Sequence, residues 1–218
     1  MKAEKSEIIV FFRDIIGIKD KYALEQLGNH SRRWTLKAKC ILLKEKDVVS
    51  EVSFLYQCGG VVKAYYALDK EGKNRIHCFA HHVGEPVTGI VNLDRHMVSL
   101  LTVEAVRDCE LISTSVDCLR ELAQSCQEIA LVCNRMIGIN VIRNMEYEKV
   151  ITSSRAEDRY RYFLEIYPDL VEKVSKKDIA SYLNMTPESL SRLLKKYEKR
   201  KFRTMISLYA EIILHTWK

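Results

Sequence analysis

Glu188, Arg192, Lys195 and Lys199 stand at i, i+4, i+7 and i+11 near the carboxyl end of this 218-residue chain. On a helix that spacing gathers them on one face, while Leu190, Leu193, Leu194 and Tyr197 recur on the other. A face of this kind can meet a charged partner while its opposite side packs. Local signals place it. Ser175 reads as a helix N-cap with Asp178 three residues on, and Ile179, Ala180 and Leu183 form the inner face of that first helix. Asn184 suits a left-handed helix end, Thr186 a second N-cap and Pro187 the first position of a second helix. Small Ala180, the turn at Asn184 and apolar Leu190 meet the needs of a helix-turn-helix, whose second helix lies in the major groove. The alternative reading is an αα-hairpin with a solvated basic face.

A second group that could do chemistry is HCFAHHVGE, with His77, His81, His82 and Glu85. Were 76–82 one strand, His77 and His81 would share a face and His82 the other. Glu85 or His96 could complete a metal site. Gly84 and Pro86 break the strand, and the His-x-His of cupin-type ligation is missing. A cupin-like metal-dependent enzyme, or a haem or redox sensor using this region, is therefore the alternative to a regulator, and no metal ligands are assigned. The seven cysteines (40, 58, 78, 109, 118, 126 and 133) are scattered without a CxxC pair, against a disulfide framework or a zinc or iron–sulfur cage. They read mostly as small buried apolar residues.

Hydrophobic residues make up 47% of the chain, enough for one large or two modest domains. No apolar run approaches the roughly 18 residues of a membrane span, and MKAEKSEIIVFFRDIIG has no signal-peptide cleavage pattern, so the expectation is a soluble, cytoplasmic protein without a membrane partner. The net charge of +6 is uneven: residues 151–218 hold 14 Lys and Arg against 9 Asp and Glu, leaving 21 against 20 before them. A near-neutral first part with a basic end fits nucleic-acid binding by that end.

Apolar residues at 8–16 before Gly17, and a segment at 20–27 ended by Gly28, predict two short helices. From about Arg33 to Ser115 the runs WTLKAKCILL, EVSFLYQC, VVKAYYAL, RIHCFA, MVSLLTVEAV and CELISTS read as strands of an antiparallel sandwich or barrel. Gly59-Gly60 and the DKEGK loop at 69–73 supply turns. Over 117–148 Leu119, Leu122, Cys126, Ile129, Cys133 and Met136 fall alternately three and four apart, with Ile137 continuing, which reads as a dimer seam on one long helix. The alternative is a helix packed only on its own roll. VITSS at 150–154 reads as a hinge, RAEDRYRYFLEIYPDLVEKV as an amphipathic helix stopped near Pro168, and the stretch beyond Lys196 as a small hairpin.

The stretch IASYLNMTPESLSRLLKK, the run FLYQCGGVVKAYYALDKEGK and VGE at 83–85 resemble the Crp/Fnr family of bacterial transcription regulators, and the order of elements does so along nearly the whole chain. The resemblance implies an α+β fold. It comprises an antiparallel, cyclic-nucleotide-binding-like β-roll at 1–116, a dimerisation helix at 117–149 and a winged helix-turn-helix at 150–218. It also implies a homodimer that reads a palindromic site on double-stranded DNA, with RNA polymerase as a further partner. Glu188, Ser191 and Arg192 match the family's E-x-x-S-R base-reading residues, with Ser189 beside them. Arginine can pair with guanine O6 and N7, and Glu can accept from cytosine N4, which predicts a G·C pair in each half-site. Lys176, Lys177, Thr186, Lys195 and Lys196 are assigned to phosphates.

Departures from the family matter too. Gly84-Glu85 matches its nucleotide-contacting pair, but Pro86 follows, and SLLTVEA at 99–105 has no arginine where cyclic-nucleotide binders hold the phosphate. Arg95 falls in a loop insertion. Cyclic AMP is therefore disfavoured, as is an iron–sulfur cluster, because the family's N-terminal cysteine cluster is missing. The effector is left unknown, with Gly84, Glu85, Leu100 and Leu101 as its candidate pocket. Ala38, Lys39 and Lys46 occupy turn positions where the roll usually has Gly, which weakens the prediction of the early hairpins.

Overall fold

The computed structural model describes residues 2–68, 74–88 and 97–197. By its contacts the chain divides into two compact units, Met1–Glu148 and Lys149–Lys218.

In the first unit, α1 (Lys2–Val10) continues into a π-helical turn (Phe11–Ile16) that stops at Gly17, whose φ of 90° suits a residue without a side chain. Helix α2 (Lys21–His30) starts at Asp20, whose carboxylate accepts the Ala23 amide at 2.7 Å. Gly28, expected to end this helix, lies inside it. A Cβ there would come within 2.8 Å of the Ile9 side chain, so this glycine allows close approach of α1 and is no terminator.

Seven strands follow: β1 (Ser31–Leu36), β2 (Ile41–Leu43), β3 (Glu51–Leu55), β4 (Val61–Ala67), β5 (Asn74–Ala80), β6 (Thr102–Arg107) and β7 (Cys109–Ser115). They form two antiparallel sheets, β1-β7-β3 and β2-β6-β4-β5. The run WTLKAKCILL is two strands, because 37–40 turns back; the Asp108 carboxylate accepts from the Ala38 amide at 2.8 Å and from Lys37 Nζ at 2.9 Å. In the absence of glycine, Lys39 and Lys46 take the left-handed conformation themselves, with φ of 66° and 73°. In MVSLLTVEAV only Thr102–Arg107 is strand. The DKEGK loop, Arg95 and His96 lie outside the described residues.

The three-stranded sheet is buried on both sides. Leu55, Cys109 and Leu111 pack toward Val62, Ala64, Val103 and Ala105 of the other sheet. Val52, Phe54 and Ile112 pack against helical Ile8, Phe11, Phe12, Leu24 and Leu27. Burial along β3 and β7 is accordingly nearly continuous and does not alternate. Three polar side chains of this sheet are linked in a short chain: Trp34 Nε1 donates to Ser113 Oγ at 2.8 Å, and Ser113 Oγ lies 2.7 Å from Ser53 Oγ.

Sequence reading has one long helix over 117–149. There are two, α3 (Val116–Ser125) and α4 (Gln127–Ser153), separated at Cys126, whose backbone is extended (φ −127°, ψ 109°). Periodicity misses the break because Cys126 keeps the apolar spacing. Helix α4 also runs through most of the expected 150–154 hinge, leaving only Ser154 and Arg155 outside a helix.

The second unit holds α5 (Ala156–Ile166), a 3₁₀ turn (Pro168–Leu170), α6 (Lys176–Tyr182) and a helix at 187–197, here α7. Phe163, Leu170, Leu183 and Leu190 are fully buried, each worth about 1.5–3 kcal/mol by transfer from water. The hairpin expected beyond Lys196 lies outside the described residues.

Candidate nucleic-acid interface

The geometry of α6 and α7 follows from their caps. Ser175 Oγ accepts the Asp178 amide at 3.0 Å and opens α6. Its end is closed by Leu183 N–H to Ile179 O and Met185 N–H to Ala180 O, both 3.0 Å, and Asn184 is left-handed with φ 51°. Thr186 Oγ1 then accepts the Ser189 amide at 3.1 Å to open α7. Ala180 of α6 and Leu190 of α7 are completely buried.

This leaves Thr186, Glu188, Arg192, Lys195 and Lys196 exposed on α7 and its cap, and Lys176 and Lys177 exposed at the start of α6; Ser189 and Ser191 are half-buried. The residues at the start of α7 touch one another: Thr186 Oγ1 donates to Ser189 Oγ at 3.0 Å, and Arg192 reaches Ser189 Oγ at 3.5 Å. The backbone N–H of Glu188, the Thr186 hydroxyl and Arg192 hold the Glu188 carboxyl below its ordinary range, so it is an anionic acceptor at neutral pH. Lys196 is committed differently from Lys195: its Nζ lies 2.5 Å from Glu157 of α5. Sequence spacing within α7 could not show that α5 supplies this partner.

In the first unit, the segment around Glu85 is built inward. Gly84 is left-handed (φ 85°). Glu85 Oε2 accepts the backbone N–H groups of His81 (2.8 Å) and His82 (3.0 Å), and Oε1 accepts from Arg143 of α4 at 2.9 Å. Burial opposes ionisation here, but the His82 and His81 amides and Arg143 outweigh it, so the Glu85 carboxyl lies below its usual range. The histidines are separated. His77 on β5 has Nε2 3.1 Å from Asn144 Oδ1 and its ring edge-on to Tyr147, whereas the His81 and His82 rings lie against each other with centroids 3.8 Å apart, tilted by 41°. Burial pushes the His77 pKa down against the opposing Asn144 contact, with Arg75 adding to the lowering. No group of three His, Cys, Asp or Glu side chains suited to a metal ion occurs among the described residues. Of the remaining candidate pocket residues, Leu100 is 79% exposed and Leu101 packs against the core between the sheets.

Solved structures share this fold, three of them as follows. FixK2 from Bradyrhizobium japonicum superposes with a TM-score of 0.69 at 19% identity, over 78% of this chain and 86% of that one. CLP from Xanthomonas campestris, titled a c-di-GMP responsive global regulator, gives 0.66 at 16% identity, over 84% and 93%. A transcriptional regulator of the Crp/Fnr family from Eubacterium rectale gives 0.64 at 14% identity, over 84% and 85%. The fold is that of the Crp/Fnr regulators. No family model matches the sequence, and no curated protein does.

Within this Crp/Fnr fold the seam read from sequence needs correction. Leu119, Leu122, Ile129 and Cys133 are buried in the first unit's own core, and Cys126 and Met136 pack against it; Ile137 is half-buried. The opposite face of α4 is the apolar surface exposed to solvent, with Leu131 (59%), Ile142 (59%) and Met145 (66%) flanked by Ile139 and Val141. Leu131, Gly138 and Met145 recur every seven residues, and the Cβ position at Gly138 has no atom within 4 Å. Spacing reported that a face is buried but not against what, and the second stripe, broken by Asn134, Arg135 and Gly138, was passed over. Among the described residues no helix is long and apolar enough to cross a membrane.

Proposed function

We propose that the chain is a homodimeric, sequence-specific DNA-binding transcription regulator of the Crp/Fnr type, in which α6 and α7 form the helix-turn-helix and α7 enters the major groove. The observation that carries this is the capped α6–α7 pair, whose exposed edge holds Glu188, Ser189, Ser191 and Arg192 together, with Lys176, Lys177, Thr186 and Lys195 beside it for phosphates. Dimerisation uses the Leu131, Gly138, Ile142 and Met145 face of α4, where glycine lets two helices approach closely. A two-fold dimer reads two half-sites about one helical turn of DNA, ~34 Å, apart, hence a palindrome. RNA polymerase is the downstream partner implied by this class.

Control belongs to the roll. An effector there acts only by binding one arrangement of the protein more tightly than another. Because Glu85 is engaged by two amides and Arg143, an effector using Glu85 must share its carboxylate with these donors or displace one of them. Selection of duplexes from a random pool by the purified chain, followed by footprinting, tests the proposal. A palindromic consensus with a G·C pair in each half-site is expected, and Arg192→Ala should weaken it by about 1–3 kcal/mol and relax one base position. Unchanged footprints in that variant would remove α7 from the reading role.

A further inference from the structure

The turn between α6 and α7 is held from outside the pair by one side chain. Arg159, on α5, donates from a single guanidinium nitrogen (Nη1) to the carbonyl oxygens of Leu183 at 2.9 Å and Asn184 at 3.1 Å. These carbonyls lie at the end of α6, where helix geometry leaves acceptors without intrahelical donors. The turn's own amides are already used, Met185 N–H bonding Ala180 O and Asn184 N–H bonding Ser181 O. Arg159 thus completes the one residue, Asn184, whose left-handed backbone sets the direction in which the chain leaves α6. The guanidinium is half-buried and its Nε makes no hydrogen bond among the described residues, a cost accepted at this position. The same helix holds the far end of α7, through Glu157 to Lys196 at 2.5 Å and the edge-on Tyr160–Tyr197 rings at 5.5 Å.

We infer that Arg159 is a positioning residue for DNA reading: it fixes the exit angle of α7 by clamping the Leu183 and Asn184 carbonyls, and makes no phosphate contact of its own. The inference rests on α7 being the reading helix. A phosphate-binding arginine and a positioning arginine differ in what their loss does. The first removes a counterion-releasing contact from every duplex, whereas the second misaligns base contacts and leaves the ionic part intact.

The test uses the full-length chain with Arg159→Met, which removes the donors, and Arg159→Lys, which keeps a cation able to donate to two carbonyls. Each is titrated with a duplex recovered by selection with the wild type and with a scrambled duplex of the same length, over a salt series, while amide exchange is followed across 183–190. Arg159→Met is expected to lose about tenfold on the selected duplex. Its affinity for the scrambled duplex and its salt slope should stay at wild-type values, and the turn amides should exchange faster. Arg159→Lys should restore most of the selected-site affinity and the slow exchange. A salt slope reduced by about one unit in Arg159→Met would make Arg159 a phosphate contact and overturn the inference. An equal loss on both duplexes with a lowered melting temperature would reduce it to support of the fold, and unchanged affinity with unchanged exchange would also overturn it. A wild type that recovers no duplex defeats the DNA reading separately, and the exchange measurement alone then decides whether Arg159 holds the turn.

Discussion

The start of α7 and the loop at Glu85 both gather charged groups, but they spend them in opposite ways. On α7 the carboxylate of Glu188 and the guanidinium of Arg192 are exposed, ready for a partner outside the chain. At Glu85 the carboxylate is enclosed by amides of its own loop and an arginine of α4. The difference shows which of two conspicuous polar motifs can recognise something without first being undone. It also separates the second unit, whose charged groups lie on its surface, from the first, whose Glu85 is engaged from within.

The largest expected effect is on the platform beneath the exposed surface. Leu190→Ala should cost about 2–5 kcal/mol in the second unit, because Leu190 is fully buried. Urea unfolding would measure it, and a loss under 1 kcal/mol would mean that the α6–α7 crossing is not the packed core it looks like.

Glu85→Gln sharpens the inward side. It should destabilise the first unit by about 1–3 kcal/mol, since one amide oxygen replaces a carboxylate shared by three donors. The sign with pH follows from the lowered Glu85 pKa. Its contribution is full above the unfolded-state value and is lost as pH falls through the folded one. His77, whose pKa is also depressed, likewise loses stability on acidification, starting from the higher histidine range. Thermal melts from pH 7 downward should therefore show two successive losses, with the lower one reduced in Glu85→Gln, where Asp108 still contributes. A variant with an unchanged acid limb would show that Glu85 is not the group responsible.

Between these lies α4, whose two faces repeat the contrast. Ile142→Asp should convert dimer to monomer in sedimentation, by about tenfold or more in dissociation constant, while leaving the monomer folded, because its side chain is outside the unit's own core. An unfolded variant, or an undisturbed dimer, would argue against that face. The smallest effect is expected from Lys195→Ala. It should weaken all duplexes alike and lower the salt slope by about one unit; a changed base preference would mean that the phosphate and base faces of α7 are exchanged.

How much of this could be read beforehand depended on whether the cause was local. Ser175, Asn184 and Thr186 act through bonds within a few residues of themselves, so their types and spacing suffice, and the structure has each in its expected role. The strand runs were legible for the same reason, although the split at 37–40 was not, because Asp108 holds that turn from 70 residues away. Gly28 read as a stop because the approach of Ile9 is tertiary. The seam residues Leu119 and Ile129 were correctly seen as apolar and periodic, but their partner is their own core. The Glu157 partner of Lys196 and the part played by Arg159 have no signal in the spacing, since both depend on where α5 lies against α7 and its turn.

The placement of the cysteines has a consequence for reagents. Cys40 and Cys58 are exposed, both near turns of the roll. Cys78 is half-buried, and loss of solvation pushes its pKa up to about 12 with Glu85 adding to the effect, while burial pushes Cys109 to about 11. A thiol becomes nucleophilic only as thiolate. Alkylating agents and oxidants thus meet two accessible sulfurs on the surface of the first unit, while Cys78, Cys109, Cys118 and Cys133 are held as thiols by burial, so labels directed to Cys40 and Cys58 leave the core undisturbed.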